Sequence, residues 1–158
     1  MRTLIKSKTE GFTLIEVVLV LAIAGLIFLI VFLALPALQR SQRDTQRKND
    51  LSRLMSQVTN YQSNNQGALP NAQAGWNTFV SNYMTNSNQT FSDPQSGSTY
   101  GVELQLFQTA KPAVGQIFIY INSRCDPAES DGLNTGSGGR SFAGIVFQEQ
   151  GGYYCQSN

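Results

Sequence analysis

The sequence predicts an α+β fold: a long N-terminal helix, half membrane-spanning and half amphipathic, packed on a small antiparallel β-sheet. Three observations carry this expectation. Residues 17–38, VVLVLAIAGLIFLIVFLALPAL, hold no charge. Leu51, Leu54, Met55, Val58 and Tyr61 recur at helical spacing and form one apolar stripe. Beyond residue 100, helical spacing gives way to short alternating, β-branched and aromatic runs.

As a helix, the 17–38 run is ~33 Å long, which matches the hydrocarbon core of a bilayer. It exceeds the apolar region of a cleavable signal peptide, and no small-x-small site stands out after it. The other reading, a buried core helix, fails because the remaining domain is too small to cover it on all sides. Charge does not orient the span. Residues 1–10 carry Arg2, Lys6 and Lys8 against Glu10, and the far flank, from Arg40 to Arg53, is basic too. Glu16 is the anomaly, since a carboxylate at a bilayer centre costs ~2.5–3.5 kcal/mol.

Residues 39–50, QRSQRDTQRKND, are polar all round and hold good helix formers without Gly or Pro. The helix is therefore expected to run on into the apolar stripe and to stop at Gly67 and Pro70. The basic band from Arg40 to Arg53 reads as a solvated face, as a contact for anionic lipid headgroups, or as a partner for acidic neighbours. Residues 68–97 are loop-rich. Within them Trp76, Phe79, Val80 and Tyr83 place a short helix near 75–84, and Asp93-Pro94-Gln95-Ser96-Gly97 reads as a turn. Strand patterns follow at 100–106, 115–122, 141–149 and 152–156. Short connections at Lys111-Pro112 and Gly151-Gly152 favour antiparallel neighbours.

Composition narrows the chemistry. The 158 residues include no histidine, which removes imidazole from every catalytic or metal-binding arrangement. No nucleophile motif or phosphate loop is present, so neither an enzyme nor a cofactor is expected. Residues 54–158 hold three basic side chains against six acidic ones, which gives no support to direct nucleic-acid binding. Cys125 and Cys155 can pair if the domain leaves the cytoplasm, which is worth ~3–4 kcal/mol. Asp126, Glu129 and Asp131 form a weak Ca²⁺ candidate without EF-hand spacing, and a solvated loop is the weightier reading. Asn88-Gln89-Thr90 matches a glycosylation acceptor. Trp76, Tyr153 and Tyr154 read as core or sheet-face residues before they read as a contact surface.

The first residues carry the strongest pattern. Gly11 precedes Phe12-Thr13-Leu14-Ile15-Glu16 and a long apolar run. This resembles the type III signal of type IV pilins and pseudopilins, and the resemblance implies the pilin fold. It also implies that a prepilin peptidase cuts between Gly11 and Phe12, removes residues 1–11 as a leader and methylates the new Phe12 amine. Residues 12–38 would be the transmembrane and assembly half of the helix, 39–66 its amphipathic half, and 67–158 the globular domain. Phe12 and Glu16 of adjacent subunits would set register, Gly25 and Pro36 would bound a stretch that unwinds, and the Cys125–Cys155 pair would tie down the C-terminus. The topology implied is a single-pass precursor in the cytoplasmic membrane with its globular domain outside, later part of an extracellular filament. Implied partners are further copies in a helical filament, the prepilin peptidase, an inner-membrane platform protein and an assembly ATPase. The expected function is a structural subunit of a type IV pilus for adhesion, motility or DNA uptake. The alternatives are a pseudopilin of a type II secretion or competence system and, from another class, an uncleaved membrane-anchored adhesin.

Overall fold

The computed structural model describes residues 11–85, 90–105, 111–128 and 132–158. Residues 1–10 of the leader, Asn88 and Gln89 of the acceptor site, the strand position Leu106, and Glu129 and Asp131 of the calcium candidate lie outside the described residues. The chain divides into two units, Met1–Gln39 and Arg40–Asn158.

Helix α1 spans Leu14–Asn64 and belongs to both units. In the first unit it runs unbroken past Gly25 and Pro36. Proline offers no N–H, so the Phe32 carbonyl one turn earlier lacks its usual helical donor. The apolar side chains of this unit are exposed, as at Phe32 (74%). The helix is long and apolar enough to cross a membrane.

In the second unit α1 buries one face. Leu51, Leu54, Met55 and Val58 reach solvent hardly at all, and Tyr61 packs at their margin. Gly67, at φ +85°, ends the helix by donating its amide to the Gln62 carbonyl (2.7 Å). Helix α2 (Gln73–Phe79) starts two residues ahead of the expected position and passes into a π-helical turn, Val80–Thr85. Trp76, Phe79, Val80 and Met84 enter the core. The Phe79 ring meets Tyr61 at 5.6 Å and Tyr83 at 5.0 Å.

Four strands form the main sheet: β1 (Gly101–Gln105), β2 (Gln116–Ile121), β5 (Phe142–Phe147) and β6 (Tyr153–Ser157), in the order β1-β2-β5-β6. The β2–β5 and β5–β6 pairs are antiparallel, but β1 and β2 are parallel, with Gly101 opposite Gln116. This corrects the expectation that Lys111-Pro112 closes a hairpin. The parallel register instead requires the chain between β1 and β2 to return to the end where β1 begins. Ten extended residues reach ~33 Å, twice the ~16 Å of a five-residue strand, so the return is sterically open.

The sheet is covered on both faces. Ile117, Ile119, Val102, Phe142 and Val146 pack with the α1 stripe. On the opposite face Phe118, Tyr120, Ala143 and Ile145 pack with Leu133 and the two cysteines. Leu133 comes from a second, two-stranded antiparallel sheet, β3 (Ser123–Cys125) with β4 (Leu133–Thr135). That double coverage explains why QIFIYI reads as a continuous apolar run rather than an alternating one. Gly144 sets the spacing of helix and sheet. A Cβ there would lie 2.7 Å from Leu51 Cδ1 and 3.1 Å from Met55 Sδ.

The edge of β1 is also occupied. The Gln73 side-chain amide donates to the Val102 carbonyl (2.7 Å) and accepts from the Leu104 amide (2.8 Å). It takes the place that a peptide group of a further strand would fill.

Candidate functional site

The N-terminal motif forms a compact polar knot at the head of an apolar helix. Gly11, Phe12 and Thr13 precede the helix, and Phe12 is 90% exposed. The Gly11–Phe12 bond therefore lies in open, non-helical backbone. Thr13 is the N-cap and Glu16 the third helical residue. The amide and the hydroxyl of Thr13 each donate to Glu16 Oε2 (2.8 Å), and the Glu16 amide reaches back to Thr13 Oγ1 (3.4 Å). Thr13-x-x-Glu16 is thus a capping box, a pattern legible in the sequence but overshadowed there by the membrane cost of Glu16. Both bonds fall on one carboxylate oxygen, and Oε1 accepts none among the described residues. Gly25 and Pro36 lie far along the same helix and join no cluster with Phe12 and Glu16.

A second charged site lies in the globular unit, where sequence reasoning expected a helix segment polar on every side. The buried residues Asp44 and Arg47 continue the Leu51–Leu54–Val58 stripe backwards at helical spacing. Arg47 is completely buried. Its Nε donates to Asp93 (2.6 Å), Nη1 to Asp44 (3.0 Å) and Glu149 (2.8 Å), and Nη2 to Gln95 (3.2 Å). Arg43 grips Glu149 with two parallel bonds, at 2.7 and 2.6 Å. Asp44 also accepts the amides of Glu149 (2.8 Å) and Gln150 (3.0 Å), and Asp93 those of Gln95 (3.0 Å) and Ser96 (2.9 Å). The basic band is therefore not a free face: Arg43 and Arg47 bind the turns at 93–96 and 148–150 to α1. The signal for this was the in-register extension of the stripe, hidden because its members are charged.

The electrostatics follow from that geometry. Burial disfavours the Arg47 cation, but the bonds to Asp93, Glu149 and Asp44 outweigh it and hold the pKa above the usual arginine value. Burial likewise pushes Asp93 up, and Arg47 with the Ser96 and Gln95 amides reverses the sign, leaving it below the usual carboxylate range. The Arg43 bonds, aided by Arg47, lower Glu149 despite some desolvation. Asp50 goes the other way: burial raises it, and the Arg53 charge and the Tyr100 hydroxyl (3.3 Å) only partly oppose that.

The remaining candidates lie in the globular unit. Cys125 and Cys155 are disulfide-bonded, with Cα atoms 5.9 Å apart, and join β3 to β6. Asp126 spends its carboxylate on the Ala128 amide (2.9 Å) and the Asn134 side chain (3.5 Å). No group of three His, Cys, Asp or Glu side chains suited to a metal occurs among the described residues. Trp76 is core, Tyr154 is half-buried and Tyr153 is exposed.

Comparison with known proteins fits the N-terminal geometry. Residues 6–32 match the family model of the prokaryotic N-terminal methylation motif. No curated protein and no solved structure matches the chain.

Proposed function

We infer that the chain, which carries the signal of type IV prepilins at residues 6–32, is the precursor of a structural subunit of a type IV pilus. The motif itself supports the coarser statement, a membrane-anchored precursor of the pilin or pseudopilin kind and a substrate of a prepilin peptidase. One observation supports processing at this signal: the motif sits where open backbone meets the capped start of an apolar helix.

In this reading the peptidase cuts between Gly11 and Phe12 and methylates the Phe12 amine. The new ammonium lies one helical turn from Glu16. In the bilayer the Thr13 bonds relieve part of the desolvation of Glu16. During assembly the unengaged Oε1 accepts the Phe12 ammonium of a neighbouring subunit, so that neither charge is buried alone. Phe12 and Glu16 thereby fix axial register. The α1 segment before Gln39 forms the filament core, and the stretch between Gly25 and Pro36 unwinds there because Pro36 already leaves one helical bond unmade. The globular unit faces outward. An inner-membrane platform protein and an assembly ATPase drive insertion. The alternative within the same signal is a pseudopilin of a type II secretion or competence system; in either case the Cys125–Cys155 bond fits a globular unit in an oxidising compartment outside the cytoplasm.

Intact-mass and N-terminal peptide analysis of the protein from its native membrane or shed filaments tests this. A mature chain that begins at Phe12 with one added methyl is expected. A chain that retains Met1 in native filaments or membranes would overturn the reading in favour of an uncleaved anchored adhesin.

A further inference from the structure

Among the described residues of the globular unit, only two large apolar side chains are exposed, Val114 (39%) and Tyr153 (41%). Both lie at one end of the main sheet. The Ile117↔Val146 and Phe147↔Tyr153 pairs bring together the start of β2, the end of β5 and the start of β6, and Val114 lies in the turn that leads into β2. Lys111 opens that turn and holds its ammonium 5.1 Å from the centre of the Tyr153 ring. Tyr153 meets Phe147 (6.3 Å), and the guanidinium of Arg47 lies 5.8 Å from the Phe147 ring. This end of the sheet is therefore also where α1 enters the unit. Its acidic groups, Asp44, Asp93 and Glu149, are all bonded to Arg47, and Glu149 to Arg43 as well. Arg40 and Lys111 are exposed and make no ion pair among the described residues. The outer face is apolar and cationic.

We propose that this end of the globular unit docks on the anionic headgroups of the bilayer that holds α1, with Tyr153 and Val114 in the interface and Arg40 and Lys111 on lipid phosphates. The proposal rests on the reading of residues 12–38 as a membrane span. Reach does not depend on how the two units are oriented. Arg43 is five residues past Leu38, ~8 Å along a helix and at most ~18 Å of extended chain. The headgroup layer is itself ~5–8 Å deep on each side. Tyrosine suits that depth because its ring is apolar and its hydroxyl wet, and lysine lays its stem on apolar groups while its ammonium stays hydrated. The unit's eight basic and eight acidic side chains cancel, so net charge supplies no attraction and docking rests on the cations of this face.

The test uses the full-length, uncleaved chain, one copy per lipid nanodisc, with a paramagnetic label on the headgroups and amide resonances as readout. Co-elution of protein with discs is checked first; a chain that stays outside the discs overturns the span reading and the docking together. In discs with anionic lipid, Lys111, Val114 and Tyr153 are expected to broaden while Asn122 and Gly138, at the opposite end of the sheet, stay sharp. The double variant Arg40→Gln, Lys111→Gln, folded by its amide spectrum, is expected to weaken docking roughly ten- to thirtyfold. Zwitterionic lipid is expected to do the same. Broadening at neither end, equal broadening at both, or a pattern indifferent to lipid charge and to the double variant would overturn the proposal. A pattern that appears only with two chains per disc would assign the face to a second copy and overturn it equally.

Discussion

Glu16 and Arg47 are charges on the same helix, and they are accommodated in opposite ways. Arg47 is fully buried and finds Asp44, Asp93, Glu149 and Gln95 within its own fold. Glu16 is exposed and, among the described residues, held only by Thr13, through one of its two oxygens. A buried ion whose partners all belong to one chain serves folding. An ion satisfied only by its own helix cap, on a segment bound for an apolar environment, has bonding capacity left for a second molecule. On the proposed reading, the difference is that between a structural charge and an assembly charge.

The comparison breaks most visibly at Glu16. Glu16→Ala is expected to cut filament yield ~100-fold or more, since an unpaired ammonium buried in the core costs several kcal/mol. The melting temperature of the globular unit should not move; a fall there would merge the two classes of charge. Arg47→Ala is the mirror experiment. It leaves Asp93 buried and unpaired and should cost about 3–5 kcal/mol in chemical denaturation, with processing at Gly11 unchanged.

Acid sharpens the same contrast. Asp93 and Glu149 titrate in the fold below their ordinary values of 3.8 and 4.5. Their contribution is therefore complete above those values and lost as pH falls through the lowered ones, so stability should hold near neutrality and drop below about pH 4. In Arg47→Ala that acid limb should flatten. Gly144→Ala tests plain packing beside these charges. Its new Cβ meets Leu51 and Met55 and should cost about 1–3 kcal/mol, read as a lower denaturation midpoint. The smallest effect belongs to Asp50→Asn. Asp50 has a raised pKa, so its ionisation weakens the fold as pH rises past the ordinary value. The variant should match or slightly exceed the wild type at pH 7, and a loss of more than ~1 kcal/mol would mean that its Tyr100 and Arg53 contacts dominate.

Apolar periodicity made the long helix, its core stripe, the helical turn around Trp76 and the strand runs readable, because burial of hydrocarbon imposes periods of 3.6 and 2 on the sequence. The same rule misled where the buried residues were polar. Asp44 and Arg47 obey the helical period, yet hydropathy counts them as surface. The parallel pairing of β1 with β2 was not readable because turn chemistry at Lys111-Pro112 reports a change of direction, not where the chain returns. The β3–β4 sheet was missed because three-residue strands such as LNT carry too little pattern. Of the N-terminal motif, the residues proposed for cleavage and assembly came from a family resemblance, while the capping box needed only the spacing of Thr13 and Glu16.

If the chain assembles side by side with its own copies, as proposed, the side-chain amide of Gln73 on the rim of β1 has a consequence. Subunits held side by side meet at effective concentrations far above those of free proteins, and an open strand there would invite its twin to zip on, backbone to backbone. Gln73 fills two of those bonding positions with a group that cannot propagate. At the β1 edge, contact with a further copy is thereby left to side chains, which can select a neighbour and its register, instead of to a backbone that would accept any.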